Sequence, residues 1–268
     1  MKSKTAVLGS AIMLAIVLVW ALAFPLSRQM PDSVFAEPFG SVYNGLNVLF
    51  TALAFGGVVI TLLFQAEQSR NARREEIERS IFELFQTFTS LEFQKVKDGA
   101  FRALLAAVKD SDYAHYLATR LFVVDQAAFP VKVIPILRQL DEAKKELTDG
   151  QIEHADRADR LMLDNMLNFF ALLAQRESSA MVIKHCDFAY DWWRPTLWMI
   201  GQLQEEHYAR SPLVQQYCKT QLITGTLKAL DKVYGHSPLS GRAPVWEYIT
   251  HHPKMLAFGM DPAFAKDP

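Results

Sequence analysis

The sequence predicts an all-α protein, in which an N-terminal two-helix transmembrane hairpin is followed by a cytosolic helical bundle domain. Three observations lead to this prediction. Two long uncharged stretches lie in the first 65 residues, nearly all charges follow them, and the later apolar residues recur at helical spacing. We therefore divide the chain into a hairpin (1–65), a helical domain (66–235) and an irregular C-terminal tail (236–268).

The hairpin consists of two predicted spans, over residues 5–26 and 42–64. Each is long enough, since about 20 apolar residues in a helix cross the bilayer core. The short segment between them contains Pro31, Pro38 and Gly40, which favour a turn. Two spans joined in this way must be antiparallel neighbours.

The orientation of the hairpin follows from the positive charges that flank it. Lys2 and Lys4 precede the first span, and four arginines follow the second: Arg70, Arg73, Arg74 and Arg79. The connecting loop has Arg28 beside Asp32 and Glu37. We therefore expect both termini, and the helical domain, on the cytoplasmic side of the membrane.

A cleaved signal peptide is the alternative interpretation of the first span. The Lys-containing start fits, and Ala21-Leu22-Ala23 has the small-x-small form of a cleavage site. The uncharged run is longer than the roughly 7–15 apolar residues of a signal core, which favours the uncleaved hairpin. With either interpretation, the second span keeps the following domain in the cytoplasm.

A set of polar and small residues lies within the second span. Asn44, Asn47 and Thr51 have the i, i+3, i+7 spacing of one helical face, and Gly56 follows. Carboxamides facing lipid are costly, so this face either assembles several hairpins and lines a water path or lies in the hydrated interface. In the second case the small residues pack against the first helix. The position of both asparagines near the end of the span favours this second interpretation.

Residues 66–79 have no Pro or Gly and are rich in helix formers, so we expect the second span to continue into the cytosol as one helix. Arg70, Arg73 and Arg74 then lie at headgroup level and contact anionic lipid.

Further helices are predicted from apolar residues at three- and four-residue spacing. The most apolar, over 155–175, is the expected central core helix. The other predicted features are helices within 81–108 with a break near Lys97–Gly99, a helix over 113–124, a charged helix through 147 that stops at Asp149-Gly150, and helices over 183–200 and 213–234.

The search for catalytic, metal or cofactor residues gives no candidate. After residue 65 the chain has 25 Lys and Arg against 27 Asp and Glu, which gives no reason to expect direct nucleic-acid binding. His185-Cys186-Asp187 cannot share one metal, because neighbours on a helix point in different directions. The sequence has no HExxH, CxxC, glycine-rich phosphate loop or GxSxG motif. We therefore expect that the protein is not an enzyme and that it binds no cofactor.

Trp192, Trp193 and Arg194 precede Pro195 and form an aromatic and cationic cluster. Such residues often anchor protein interfaces, so the cluster is a candidate partner surface. The alternative is a core segment at a helix bend caused by Pro195, and we favour it.

Two motifs carry a resemblance to a known family. The first contains Phe85, Phe88, Ser90, Glu92 and Phe93, in a pattern like F-x-x-L…S-x-E-F. The second, like L-N-F-F-E-x-L, contains Leu167, Asn168, Phe169, Phe170 and Leu172, and it has Ala171 where an acidic residue is usual. With the hairpin, the arginine-rich exit and the downstream tryptophan, roughly residues 40–235 resemble a bacterial family of two-span membrane-anchored helical domains of unknown function.

The resemblance implies a cytosolic helical domain on a membrane anchor. Proteins that look like this also occur as effectors of anti-phage systems, including some retrons. It therefore suggests an abortive-infection effector that disrupts the inner membrane when a protein partner releases it or an infection signal triggers it, with hairpins assembling as a homo-oligomer. The partner could be a nucleoprotein. The alternative is a passive membrane-tethered module that localises a cytosolic protein partner.

Overall fold

The structure, a computed structural model, describes residues 4–27, 42–219, 222–237 and 239–266, and within these ranges it is helical without strands. The all-α prediction is confirmed. The α-helices of these ranges are α1 (Lys4–Ser27), α2 (Val42–Thr89), α3 (Leu91–Lys109), α4 (Ser111–Arg120), α5 (Ile134–Gln139), α6 (Asp149–Ala174), α7 (Ala180–Cys186), α8 (Tyr190–Arg210), α9 (Pro212–Tyr217), α10 (Thr224–Tyr234), α11 (Arg242–Thr250), α12 (Pro253–Ala257) and α13 (Ala263–Lys266). Three short 3₁₀ turns cover Val131–Val133, Glu142–Lys144 and Glu177–Ser179.

The chain forms two compact units, Met1–Glu76 and Ile77–Pro268. In the described part of the first unit, α2 is the helix that is long and apolar enough to cross a membrane, by length and composition. The apolar stretch described in α1 is shorter, Gly9–Ala23. The connection predicted between the spans, with Arg28, Asp32 and Glu37, lies outside the described residues.

The helix α2 runs for 48 residues without a break, which confirms that the stretch predicted as the second span continues as one helix past residue 66. It ends at Thr89. The side chain of the next residue, Ser90, accepts a hydrogen bond from the backbone N–H of Phe93, 3.1 Å away, and so caps the start of α3. The break predicted near Lys97–Gly99 is wrong. Gly99 lies inside α3, where an added Cβ would come within 2.8 Å of the Cβ of Met162 in α6.

The helix predicted over 155–175 is confirmed as the central helix α6, but it begins six residues earlier. Asp149-Gly150 opens this helix, and the prediction that a helix stops there is wrong. Thr148 and Gln151 form a capping box, a local start signal that overrides the glycine. The helix α6 packs along α3.

Two of the long helices predicted downstream are each divided in two. The segment 183–200 turns between α7 and α8, where Asp187 and Ala189 have positive φ angles of 48° and 52°. Phe188 between them is fully buried, so burial of this ring accompanies the unusual backbone. The segment 213–234 is divided into α9 and α10, and the helix predicted over 113–124 ends at Arg120.

The prediction of an irregular tail over 236–268 is wrong. This region contains α11, α12 and α13, and α11 packs against α8. Its buried apolar residues complete the main core: Val245, Trp246, Ile249, Met255 and Phe264. Helices of four to nine residues are too short for their apolar residues to display the 3.6-residue helical period. They depend on tertiary burial for their stability.

Candidate functional site

The contact between α1 and α2 is built on glycines. Trp20 in α1 donates a hydrogen bond from its indole N–H to the backbone carbonyl of Gly45, 2.8 Å away. An added Cβ at Gly56 would come within 2.7 Å of the terminal carbon of Ile16. Glycine therefore permits close approach of the two helices, as the interpretation of small residues packing against the first helix predicts.

The polar residues of the second span lie on another side of α2. Asn47 and Thr51 are exposed, whereas Gly56 is buried against α1. Nine residues, or two and a half helical turns, separate Asn47 from Gly56, so the two face opposite directions. The predicted face of Asn44, Asn47, Thr51 and Gly56 is thus not one surface, because Gly56 belongs to the α1 contact. The side chain of Asn44 lies outside the described residues.

Arg70, Arg73 and Arg74 are exposed on the part of α2 that precedes Glu76. Their three- and four-residue spacing places them on neighbouring turns of one helix. Contact between these arginines and anionic lipid stays a prediction.

The Trp192-Trp193-Arg194 cluster is only partly a surface. Trp193 and Arg194 are buried, which makes the partner-surface interpretation wrong for them, whereas Trp192 is 49% exposed. The charge of Arg194 is met by Asp231 of α10, with the Nε and Nη2 atoms 2.7 and 2.9 Å from the two carboxylate oxygens. Since both groups are withdrawn from water, this bidentate pair is part of the core.

Asp231 also accepts hydrogen bonds from two other side chains of the core. The hydroxyl of Tyr190 and the indole N–H of Trp198 donate to it at 2.8 and 3.2 Å. Burial, followed by the negative charge of Asp231, raises the pKa of Tyr190 well above its ordinary value. The sequence contained a signal for this site, an arginine among tryptophans in an apolar helix, but not its partner 37 residues later.

Trp192 itself lies beside a lysine from the C-terminal region. The ammonium group of Lys254 is 3.7 Å from the centre of the Trp192 ring and donates to the Trp192 backbone carbonyl. Burial lowers the pKa of Lys254 from 10.5 to about 8. The exposed tryptophan is therefore packed against α12 and Phe258 rather than standing free.

A second buried ionic site lies on α6, and sequence reasoning did not find it. Asp159 accepts hydrogen bonds from Arg102 at 2.6 Å and from Lys144 at 2.5 Å. One turn earlier, Asp156 accepts from the Tyr113 hydroxyl at 2.5 Å and from a nearby arginine, Arg160, at 2.8 Å. Burial raises the pKa of Asp156 although both donors act in the opposite direction. These acids lie three residues apart, a spacing that places them on one helix face.

The two motifs that carry the family resemblance meet in space. The ring centre of Phe169 is 5.3 Å from that of Phe88 and 4.8 Å from that of Phe93, and Phe188 packs on the same group. Their aromatic residues are core residues, which accounts for their spacing without a catalytic role. Asn168 and Leu172 lie outside this cluster and are exposed.

The triplet His185-Cys186-Asp187 has an exposed histidine and a buried cysteine, and burial raises the pKa of the Cys186 thiol. Among the described residues no group of three His, Cys, Asp or Glu side chains is placed to hold a metal. No protein-family model, curated protein or solved structure matches the chain.

Proposed function

We propose that the protein is a membrane-anchored effector of bacterial anti-phage defence that disrupts the inner membrane when it is released or triggered. The anchor is a two-span hairpin with both termini in the cytoplasm. Support for the hairpin comes from the exposed apolar surface of α2, from the apolar stretch of α1 packed on it, and from the charges at the ends of the spans.

The observation that carries the effector proposal is the exposure of Asn47 and Thr51 on the side of α2 away from Gly56. A carboxamide and a hydroxyl directed at lipid are unfavourable, and they gain hydrogen bonds when another copy of the hairpin covers them. Activation then consists of allowing hairpins to meet through this face. The polar groups would border any water path that the assembly encloses.

The proposal is tested by inducing the protein without its genomic neighbours and following growth and membrane potential. We expect depolarisation, and we expect the N47L/T51V variant to abolish it at equal membrane content. The matched control is G57L, which adds leucine where an added Cβ meets nothing within 4 Å. An unchanged membrane potential with the native sequence, or full depolarisation by N47L/T51V, would contradict the proposal.

A topology experiment tests the anchor separately. Single cysteines at the N-terminus, in the segment 28–41 and in the exposed part of α2 near Arg70 are labelled with an impermeant maleimide in a variant without Cys186 and Cys218. We expect periplasmic labelling only in the segment 28–41. Labelling of the N-terminus from outside, or its loss by cleavage, would contradict the two-span arrangement.

The second candidate function is a passive tether that localises a cytosolic protein partner. It is favoured by an exposed apolar surface formed by Phe82 of α2 and by Met181 of α7, which is 85% exposed. Exposed large apolar residues that lie together often mark protein contacts. Replacing both spans by an unrelated hairpin separates the candidates, because a tether retains its activity after the exchange and an effector that acts through α2 loses it.

A further inference from the structure

Two adjoining cavities lie along α6 in the unit Ile77–Pro268. The first, about 630 Å³, opens between α4 and α6, and the second, about 430 Å³, is bounded by α6, α8 and α10. They share part of one wall, which includes Arg120 and Asp164. Both volumes fall within the roughly 300–1,000 Å³ of small-molecule sites.

Three arginines and two acids line the first cavity: Arg120, Arg157 and Arg160, with Glu153 and Asp164. The guanidinium carbons of Arg120 and Arg160 are 4.9 and 5.1 Å from the centre of the buried Tyr116 ring. Cations are attracted to the face of an aromatic ring, so one rigid side chain holds both guanidinium groups at the cavity.

The charges of these arginines are unequally compensated. Arg160 pairs through Nε with Asp156, 2.8 Å away. Within the described part of the chain, neither Arg120 nor Arg157 has a carboxylate within salt-bridge distance; Arg120 instead donates to the side chain of Gln126. Guanidinium groups without a paired carboxylate in a concave site attract a ligand with anionic oxygens, above all phosphate.

The second cavity has a different chemistry. Its wall is formed largely by apolar side chains such as Phe170 and Leu197, with the amide of Asn168 and the hydroxyl of Thr226 as polar groups. An apolar slot with an amide and a hydroxyl suits a flat heterocycle that carries hydrogen-bonding atoms on its edge.

Asp164 lies where the two cavities meet. A carboxylate would repel phosphate, but it accepts hydrogen bonds from sugar hydroxyls, which is how acidic residues bind ribose in dinucleotide sites. Along α6 the guanidinium groups of the first cavity are therefore followed by the carboxylate of Asp164 and then by the apolar second cavity. This order matches that of phosphate, ribose and base in a nucleotide.

We propose that the two cavities form one nucleotide-binding groove, in which Arg120 and Arg157 bind phosphate, Asp164 binds the ribose hydroxyls and the apolar cavity takes the base. The groove lies in the cytosolic domain of the proposed topology, where nucleotides are available. Binding at this groove does not depend on whether the hairpins assemble, so the two proposals can fail independently.

Titration calorimetry of the full chain in maltoside micelles with ATP, AMP, adenosine, inorganic phosphate and phosphatidylglycerol tests the groove, with EDTA present to exclude metal bridging. We expect ATP to bind most tightly and adenosine and phosphate at least tenfold more weakly, since each fills only part of the groove. We expect R157A and R120K each to weaken ATP binding by about tenfold, because each variant loses a charge-assisted hydrogen bond. The matched control R79A, an exposed arginine outside the groove, leaves the affinity unchanged.

A second variant tests the assignment of the sugar site. We expect the native chain to prefer ATP over 2′-deoxy-ATP and D164N to lose that preference while still binding phosphate. The melting temperature of each unliganded variant verifies folding, and all four substituted side chains are exposed. The proposal is overturned by absence of nucleotide binding, by phosphate or phosphatidylglycerol binding as tightly as ATP, or by ATP binding that R157A and R120K leave unchanged.

Discussion

The two units are both helical, yet they place apolar side chains in opposite ways. In the unit Met1–Glu76 large residues such as Phe55, which is 71% exposed, lie on the outside, and the buried residues among those described are glycines. In the unit Ile77–Pro268 residues such as Ile81 and Leu173 are fully buried, and the buried charged groups among its described residues have partners of opposite charge. The difference is the one expected if the first unit lies in a membrane, as proposed, and the second lies in water.

In the proposed membrane arrangement, different forces hold the two units together. Burial of apolar surface from water stabilises the second unit. Between helices in lipid that force is absent, and close packing at small residues with a few hydrogen bonds replaces it. Substitutions of the same kind should therefore have unequal effects in the two units.

The largest effect is expected at the buried ion pair of the second unit. D231A leaves the charge of Arg194 buried without its partner, and we expect the free energy of unfolding to fall by about 3–5 kcal/mol. The measurement is denaturant unfolding of the full chain in micelles. The control D191A removes an exposed acid that contacts His236 and should change stability by less than about 0.5 kcal/mol. Equal effects of the two variants would mean that Asp231 is not a core residue.

The next effect concerns the close approach of α3 and α6. A Cβ at Gly99 meets the Cβ of Met162, which cannot move without the backbone of α6, so we expect G99A to lower stability by about 1–3 kcal/mol. Gly150, also helical, has nothing within 4 Å of an added Cβ, and G150A should be neutral or stabilising because alanine favours helix. A stabilised G99A would contradict the described packing.

Within the hairpin we expect smaller losses. W20F removes the hydrogen bond to Gly45 and should reduce resistance to SDS-induced unfolding by about 0.6 kcal/mol, the typical value for such bonds in membrane proteins. G56A should lower it further only slightly, since the atom it meets is the mobile end of Ile16. A loss in W20F as large as that in D231A would remove the contrast between the units.

The last prediction is a dependence of stability on pH that arises at Lys254, beside Trp192. Unfolded Lys254 keeps its proton up to its ordinary pKa of 10.5, whereas the folded chain releases it around 8, because burial lowers the pKa. In this pH interval the unfolded state binds more protons than the folded state, so the free energy of unfolding rises as pH increases from about 8 to 10.5. The increase should be smaller in K254M. Parallel pH profiles of the two proteins would show that Lys254 titrates normally.

The sequence by itself determined the helical class, the apolar stretches, the continuation of α2 and the position of α6. Each of these depends on local composition or on a period of 3.6 residues, which a single segment displays. The start of α6 after its N-cap Thr148 is also local in origin, since the capping box is formed by residues three apart.

Only the tertiary structure decided the remaining features. The C-terminal helices, the turn at Phe188 and the pairing of Arg194 with Asp231 depend on burial against distant segments, which no local pattern reports. The same holds for the groove on α6, because its walls come from α4, α8 and α10 as well. On α2, contact with α1 separated Gly56 from Asn47 and Thr51, since helical spacing defines faces but only a neighbouring helix defines which face is covered.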